Sequence, residues 1–316
     1  MAKRRRTRLP AHRIAGLYLA QRTRFGIKFG LETMRALIAE MGHPERSFTS
    51  LLIAGTNGKG SVAAYCDAVL RASGLRVGRY TSPHLVRVNE RITVGGRQIG
   101  DLAFARAVRA VRDAATRLVA RGALDGHPTF FEVLTAAAFE HFRARHVDVA
   151  VLEVGLGARL DATNVVRPLA SAIVSIDFDH ELYLGRTLGA IAAEKAGVMR
   201  RARTTVIGAV ASRARRALGS AAREKGARIV DAASGVRVVE TVGGLELCTP
   251  ERRYRGLRPL PGAHQRANLL IAIRLLEAAR RAGLPVDLDV VPGAVARTRW
   301  PGRLERVAGD PPLLLD

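Results

Sequence analysis

Short apolar runs alternate along the chain with longer segments in which apolar residues recur every three or four positions. The runs at 51–54, 76–80, 147–153, 170–176 and 204–207 have the length and composition of buried strands. Helical spacing fills 62–73, 101–120, 131–145, 188–198 and 213–225, and a further strong helix covers 267–282. Strand and helix in turn predict an α/β fold, a mainly parallel sheet covered by helices. From 229 to 255 the pattern changes to short runs at 236–240 and 245–248, with Gly-Gly and Pro breaks, and this predicts a small antiparallel edge. The closing stretch 311–316 is apolar and reads as a strand.

Composition changes this picture little. The 316 residues suffice for one large domain or two ordinary ones. A net charge of +23 raises the question of a polyanionic partner, because clustered cations attract phosphates over several ångströms. The cations are spread, however, and only Lys3, Lys28, Lys59, Lys195 and Lys225 are lysines. The arginine excess therefore reads as background, and neither a nucleic-acid partner nor a role for Arg4, Arg5 and Arg6 in binding one is expected. Cys66 and Cys248 stand far apart with no metal-ligand spacing, which fits a reducing cytoplasm. No run of about 18 apolar residues occurs, and the basic start has no apolar stretch behind it, so neither a membrane span nor a secretory signal is expected. The first acidic residue is Glu32, and residues 1–16 are expected to form a solvated, partly disordered basic arm.

The strongest chemical signal is LLIAGTNGKGS at 51–61, a strand passing through Gly55, Thr56, Asn57, Gly58, Lys59, Gly60 and Ser61 into a helix. Glycines let the backbone curl so that several N–H groups point at one anion, and the helix start adds partial positive charge. Lys59 is placed to reach terminal phosphates, and Ser61 a magnesium ion. The spacing departs from GxxxxGK[ST], since two residues separate Gly55 from Gly58 and Gly60 lies between Lys59 and Ser61. A plain Gly-rich turn is the alternative.

Six motifs follow one another in order: GTNGKGS with YTSPHLVRVNERI at 80–92, FFEVLTAAAF at 130–139, LEVGLGARLDATNVV at 152–166, DFDHELYLGRTLGAIAAEKAGV at 177–198, GAHQRANLLIA at 262–272, and WPGRLE at 300–305. With them the chain resembles the folylpolyglutamate synthase/dihydrofolate synthase family, a branch of the ATP-dependent Mur-type ligases, from about Leu17 to Asp316. The resemblance implies a P-loop-containing ATP-binding domain over 17–298. It also implies that 299–316 begins a truncated carboxy-terminal Rossmann-like ligase domain.

Glu153 ends one strand, and Asp177, Asp179 and His180 follow another, which places all four at the carboxyl edge of a parallel sheet beside the loop. Carboxylate, imidazole and hydroxyl oxygen there make a reasonable magnesium shell, solvated turn residues being the alternative. The resemblance implies that Ser82, Glu153 and His180, with Ser61, hold two magnesium ions. Lys195 lies among small apolar residues; burial would lower its pKa, and a neutral amine reacts with carbon dioxide to give a carbamate. In the resembled family this lysine is carbamylated and joins the metal ligands.

The aromatic pair after Thr129, Phe130 and Phe131, is by itself a core feature. The resemblance implies that Thr129, Phe130, Phe131, Leu160, Asp161 and Ala162 contact dihydropteroate, with Asp161 taking hydrogen bonds from ring nitrogens. Ala158 stands where the family more often has glycine, which leaves open a narrower pocket. Asn268, Arg303 and Asp316 match family positions that contact ATP, and Lys59, His180 and Lys195 match the reacting centre.

The implied activity is ATP-dependent addition of L-glutamate to dihydropteroate or a folate through an acyl phosphate, by a cytoplasmic monomer serving folate biosynthesis. Two alternatives stand beside it. One is a Mur-type amide ligase for another carboxylate. The other is a chain that binds ATP without completing ligation.

Overall fold

The computed structural model describes residues 11–22, 30–309 and 312–316. Its centre is a sheet of eight strands: β1 (Thr49–Ala54), β2 (Val77–Tyr80), β3 (Ile92–Val94), β4 (Arg97–Gln98), β5 (Val149–Glu153), β6 (Ala170–Ile173), β7 (Thr204–Ile207) and β8 (Arg228–Asp231). They lie in the order β4-β3-β2-β5-β1-β6-β7-β8. Neighbours from β2 to β8 pair in parallel, and β3 and β4 add an antiparallel edge. The chain leaves β1 for β2, returns to β5 and then crosses to β6. The order therefore reverses around β1, and ligands of such sheets bind beyond the strand ends at that reversal.

The helices are α1 (Ala11–Arg22), α2 (Glu32–Glu40), α3 (Lys59–Ala72), α4 (Asp101–Ala120), α5 (Phe130–Ala144), α6 (Glu181–Leu184), α7 (Leu188–Lys195), α8 (Ser212–Lys225), α9 (His264–Arg281) and α10 (Val291–Ala296). Strand β1 shows why the layers form. Leu51 and Ile53 join a core with α3, α9 and α10, whereas Leu52 and Ala54 join a second core with α1, α2, α4, α5, α7 and α8. A strand covered on both faces has no position left for a polar alternation, which explains its unbroken apolar run.

The predicted antiparallel element is a sheet of its own: β9 (Arg237–Thr241), β10 (Gly244–Cys248) and β11 (Arg253–Leu257), with Leu245, Leu247, Tyr254 and Leu257 buried in the α9 core. The antiparallel edge of the main sheet comes instead from β3 and β4. A last hairpin pairs β12 (Glu305–Val307) with β13 (Leu313–Leu315).

Two expectations need correction. The predicted strand 170–176 stops at Ile173, because the following backbone turns to bond the loop after β1: Thr56 N–H donates to Ser175 O at 3.0 Å. The basic arm does not reach residue 16 as a solvated segment. Residues 11–22 are helical, with Ala15, Tyr18 and Leu19 buried in the core that holds α4. Residues 1–10, with Arg4, Arg5 and Arg6, lie outside the described residues. Among the described residues, no helix is long and apolar enough to cross a membrane.

Candidate active site

After Ala54 the chain passes through Gly55, Thr56, Asn57 and Gly58 and enters α3 at Lys59. Gly58 caps the helix with φ 82°, and a Cβ there would lie 2.4 Å from Asn268 Oδ1. A Cβ on Gly60 would lie 2.7 Å from Trp300 Cζ2. At these two positions only glycine permits the observed approach. The loop is pinned from the β6 side: Asn57 N–H donates to Ser175 Oγ at 2.8 Å and Asp177 N–H to Thr56 Oγ1 at 3.1 Å. The first N–H groups of α3 have no intrahelical acceptor, and with the helix dipole they form an anion site. Lys59 Nζ is folded back over the loop, donating to Gly55 O and Thr56 O at 2.9 Å each.

The α9 amino terminus braces this loop. Ser61, on α3, is buried and its hydroxyl accepts from Gln265 Nε2 at 3.1 Å, while Gln265 Oε1 accepts from Asn268 Nδ2 at 3.2 Å. Spacing of three along α9 puts Gln265 and Asn268 on one face. Gln265 was not singled out by sequence reasoning, and this spacing from Asn268 was the signal available. Arg303 and Asp316 lie on the other side, around the segment that leads into the last hairpin. The Arg303 charge acts on Glu153, and Asp316 Oδ1 accepts from Leu304 N–H at 3.3 Å, so Asp316 here closes the hairpin.

Glu153 ends β5 as predicted and is buried; its Oε2 accepts from the Ser82 N–H at 3.1 Å. Burial pushes its carboxyl up to about 7, against the opposing pull of Lys59, the Ser82 N–H, Arg303 and Arg79. Lys195 ends α7 and is 2% exposed. Burial pulls its ammonium down to about 8, the Lys59 charge acts the same way, and Asp179 opposes both. Lys59, Glu153, Lys195 and Asp179 therefore share one electrostatic neighbourhood. His180 is exposed, opens α6 with φ 48°, and stands 3.5 Å through Nε2 from Asp179 Oδ1. Among the described residues, no three His, Cys, Asp or Glu side chains gather as a metal-binding group.

Beside this centre lies a cavity of about 490 Å³ lined by Ser82, Arg91, Thr129, Phe130, Phe131, Gly155, Leu156, Ala158, Leu160, Asp161, Ala162 and His180, among others. All six predicted pterin contacts thus line one cavity. Helix α5 begins one residue earlier than predicted because Thr129 caps it: Thr129 Oγ1 accepts from Glu132 N–H at 3.3 Å, and Glu132 Oε2 accepts from Thr129 N–H at 2.8 Å. The cap fixes where Phe130 and Phe131 point. Phe131 packs on Tyr80 with ring centroids 5.9 Å apart, and the Arg91 guanidinium carbon stands 5.5 Å from the Phe130 centroid. Asp161 differs from expectation. Its Oδ2 accepts from Gly155 N–H at 2.9 Å and Leu156 N–H at 3.0 Å, and its Oδ1 from Thr163 N–H at 2.9 Å and Thr163 Oγ1 at 2.5 Å. Both oxygens are engaged by the loop itself, so the carboxylate shapes the cavity wall, and a ligand donor has to share or displace one of these bonds. Ala158 is buried and absent from the residues of positive φ, so its methyl group carries no backbone strain.

Residues 53–276 match the Mur ligase middle domain family. The chain is 35% identical to the dihydrofolate synthase/folylpolyglutamate synthase of Bacillus subtilis, covering 97% of this chain and 73% of that protein. It is 38% identical to the "Probable bifunctional folylpolyglutamate synthase/dihydropteroate synthase" of Halobacterium salinarum, covering 96% of this chain and 37% of that much longer one. Among solved structures, E. coli FolC in complex with DHPP and ADP matches with a TM-score of 0.84 at 31% identity, over 97% of this chain and 70% of that one. Glycine-bound phosphate loop, acidic strand end and aromatic cavity lie in one fold with these sequences, and the chain belongs to the folylpolyglutamate synthase/dihydrofolate synthase family of Mur-type ligases.

Proposed function

We propose that this chain provides the nucleotide and pteroyl sites of a cytoplasmic ATP-dependent ligase that adds L-glutamate to dihydropteroate or a folate. The observation that carries the reading is a shared boundary. Ser82 lines the aromatic cavity and also donates to Glu153, whose carboxyl lies in the field of Lys59 on the phosphate loop. A flat ring system held between Phe130 and Phe131 and the Leu160–Ala162 wall would direct a carboxylate at its far end toward that boundary. One carboxylate oxygen attacks the γ-phosphorus of ATP, ADP leaves, and an acyl phosphate forms. The glutamate amine then attacks the acyl carbon and loses a proton, and inorganic phosphate departs. No protein nucleophile is needed; Lys59 and the α3 amino terminus position the phosphates and balance the charge that develops on them.

The residues fit a magnesium requirement. Glu153 is a buried carboxylate that accepts, among the described residues, from one backbone N–H, and a nearby divalent cation would hold it ionised. Ser61, Ser82, Glu153 and His180 would hold the ions, which supply charge neutralisation at the transferring phosphoryl group. Lys195, brought to about 8 by burial, keeps enough neutral amine near pH 8 to take up carbon dioxide, and as a carbamate it would join these ligands. We further expect a monomer. With L-glutamate present, release of phosphate from ATP should depend on dihydropteroate or a folate. Stimulation by a cell-wall precursor carboxylate instead, with none from pteroyl compounds, would replace this reading by another Mur-type ligase.

A further inference from the structure

A buried ion pair between α3 and β2 is used by nothing in the scheme above. Asp67, on α3, is 1% exposed, and its Oδ2 accepts from Arg71 Nε at 3.0 Å and lies 3.4 Å from Arg79 Nη1. The Arg79 side chain, on β2, is itself only 14% exposed. Asp67 Oδ1 and Arg79 Nε are both buried and, among the described residues, without a hydrogen-bond partner. An incompletely satisfied buried pair is a poor source of stability compared with apolar residues of the same volume. Arg79 instead makes a contact that leads to the loop: its guanidinium carbon stands 4.9 Å from the centroid of the Trp300 ring. That same indole covers Gly60, at the distance that leaves no room for a side chain there. Three residues beyond Trp300 is Arg303, whose charge reaches Glu153.

We infer that Arg79 is a positioning residue: held by Asp67, it keeps Trp300 against Gly60, and so sets the start of α3 and the segment bearing Arg303 for the nucleotide phosphates. It touches no reacting atom; its charge adds only the weakest of the pulls on Glu153, and its effect on the loop passes through Trp300. This inference rests on the reading of the loop as the ATP site.

Trp300 is the one tryptophan of the sequence, so its emission reports this contact directly. Calorimetric titration of the wild-type chain with ADP and magnesium comes first; absence of binding overturns the ATP-site reading and the inference with it. Given binding, Arg79→Met is expected to raise the ADP Kd about 5- to 20-fold, the range of a partly desolvated cation–π contact. It should also make Trp300 more accessible to acrylamide quenching, and Arg79→Lys should restore most of both properties. Should Arg79→Met misfold because Asp67 loses a partner, the double variant Asp67→Asn/Arg79→Met removes both charges and should show the same loss. In a Trp300→Leu background Arg79→Met should change the ADP Kd less than about twofold, since the contact is already gone. Wild-type ADP affinity and unaltered quenching in a folded Arg79→Met or double variant would overturn the inference while leaving the ATP site intact. So would an undiminished Arg79→Met effect without Trp300.

Discussion

The phosphate loop and the aromatic cavity meet at Ser82 and Glu153, yet they are built in opposite ways. Seven consecutive residues make the loop, and its recognition elements are backbone N–H groups and one lysine. The cavity draws its walls from Ser82 and Pro83 beyond β2, the start of α5, the loop around 155–162 and the segment of His180 and Leu184, and its recognition element is shape. Anion binding by backbone can be written in a short string because glycine and a helix start suffice for it. A pocket for a flat ring has to be assembled from separate elements, and its fit depends on how those elements pack.

This contrast predicts separable failures. The largest is Lys59→Ala, which should lower carboxylate-dependent phosphoryl transfer by about 10²–10³-fold or more while cavity ligands bind as before and the melting temperature barely moves. Retained acyl-phosphate formation by that variant would remove Lys59 from the reaction. Gly58→Ala places a methyl group on Asn268 at positive φ, a strain of about 1–3 kcal/mol, and should weaken ADP about 5- to 150-fold in calorimetry with cavity binding unchanged. Phe131→Ala should do the converse, weakening dihydropteroate by about tenfold and leaving ADP alone. If either variant damages both sites equally, the two regions are one unit and the comparison fails.

A smaller effect tests whether the cavity depends on the whole of α5. Burial, helped by the Arg145 charge, pulls His141 on this helix down to about 4. The folded form therefore takes up its proton less readily than the unfolded chain. The associated stability is complete above the ordinary histidine range near 6.5 and is lost as pH falls through about 4, by about 1–2 kcal/mol once solvent screening of this partly exposed ring is allowed for. Denaturant titrations between pH 7 and 4 should show this slope, and His141→Gln should flatten it.

Most of the fold was legible because it is local. Residues 101–120 form a helix with those bounds, and 204–207 a strand, since apolar spacing and burial agree there. The loop 55–61 was legible for the same reason. What escaped depends on partners distant in sequence. β3 and β4 are three and two residues long and gain strand character only by pairing beside β2. Gln265 acquires its role from Ser61, 204 positions away. Asp161 was expected to face a ligand, but four donors of its own loop claim the carboxylate, and no composition rule reveals that competition. The first turns of α1 looked like part of a charged arm because Arg4, Arg5, Arg6 and Arg8 stand just before them, whereas the burial of Ala15, Tyr18 and Leu19 depends on α4, distant in sequence.

The posture of Lys59 sets a threshold for entry. Its ammonium already holds two carbonyls of its own loop, each a charge-assisted bond of about 1.5–3 kcal/mol, so an arriving anion has to outbid that internal occupant. A lone sulfate or inorganic phosphate offers fewer acceptors against that cost than a polyphosphate tail, which is long enough to face the helix start and the ammonium together. The loop is thus fastened by its own cation, and whatever anion binds there has to exchange two internal bonds for its own.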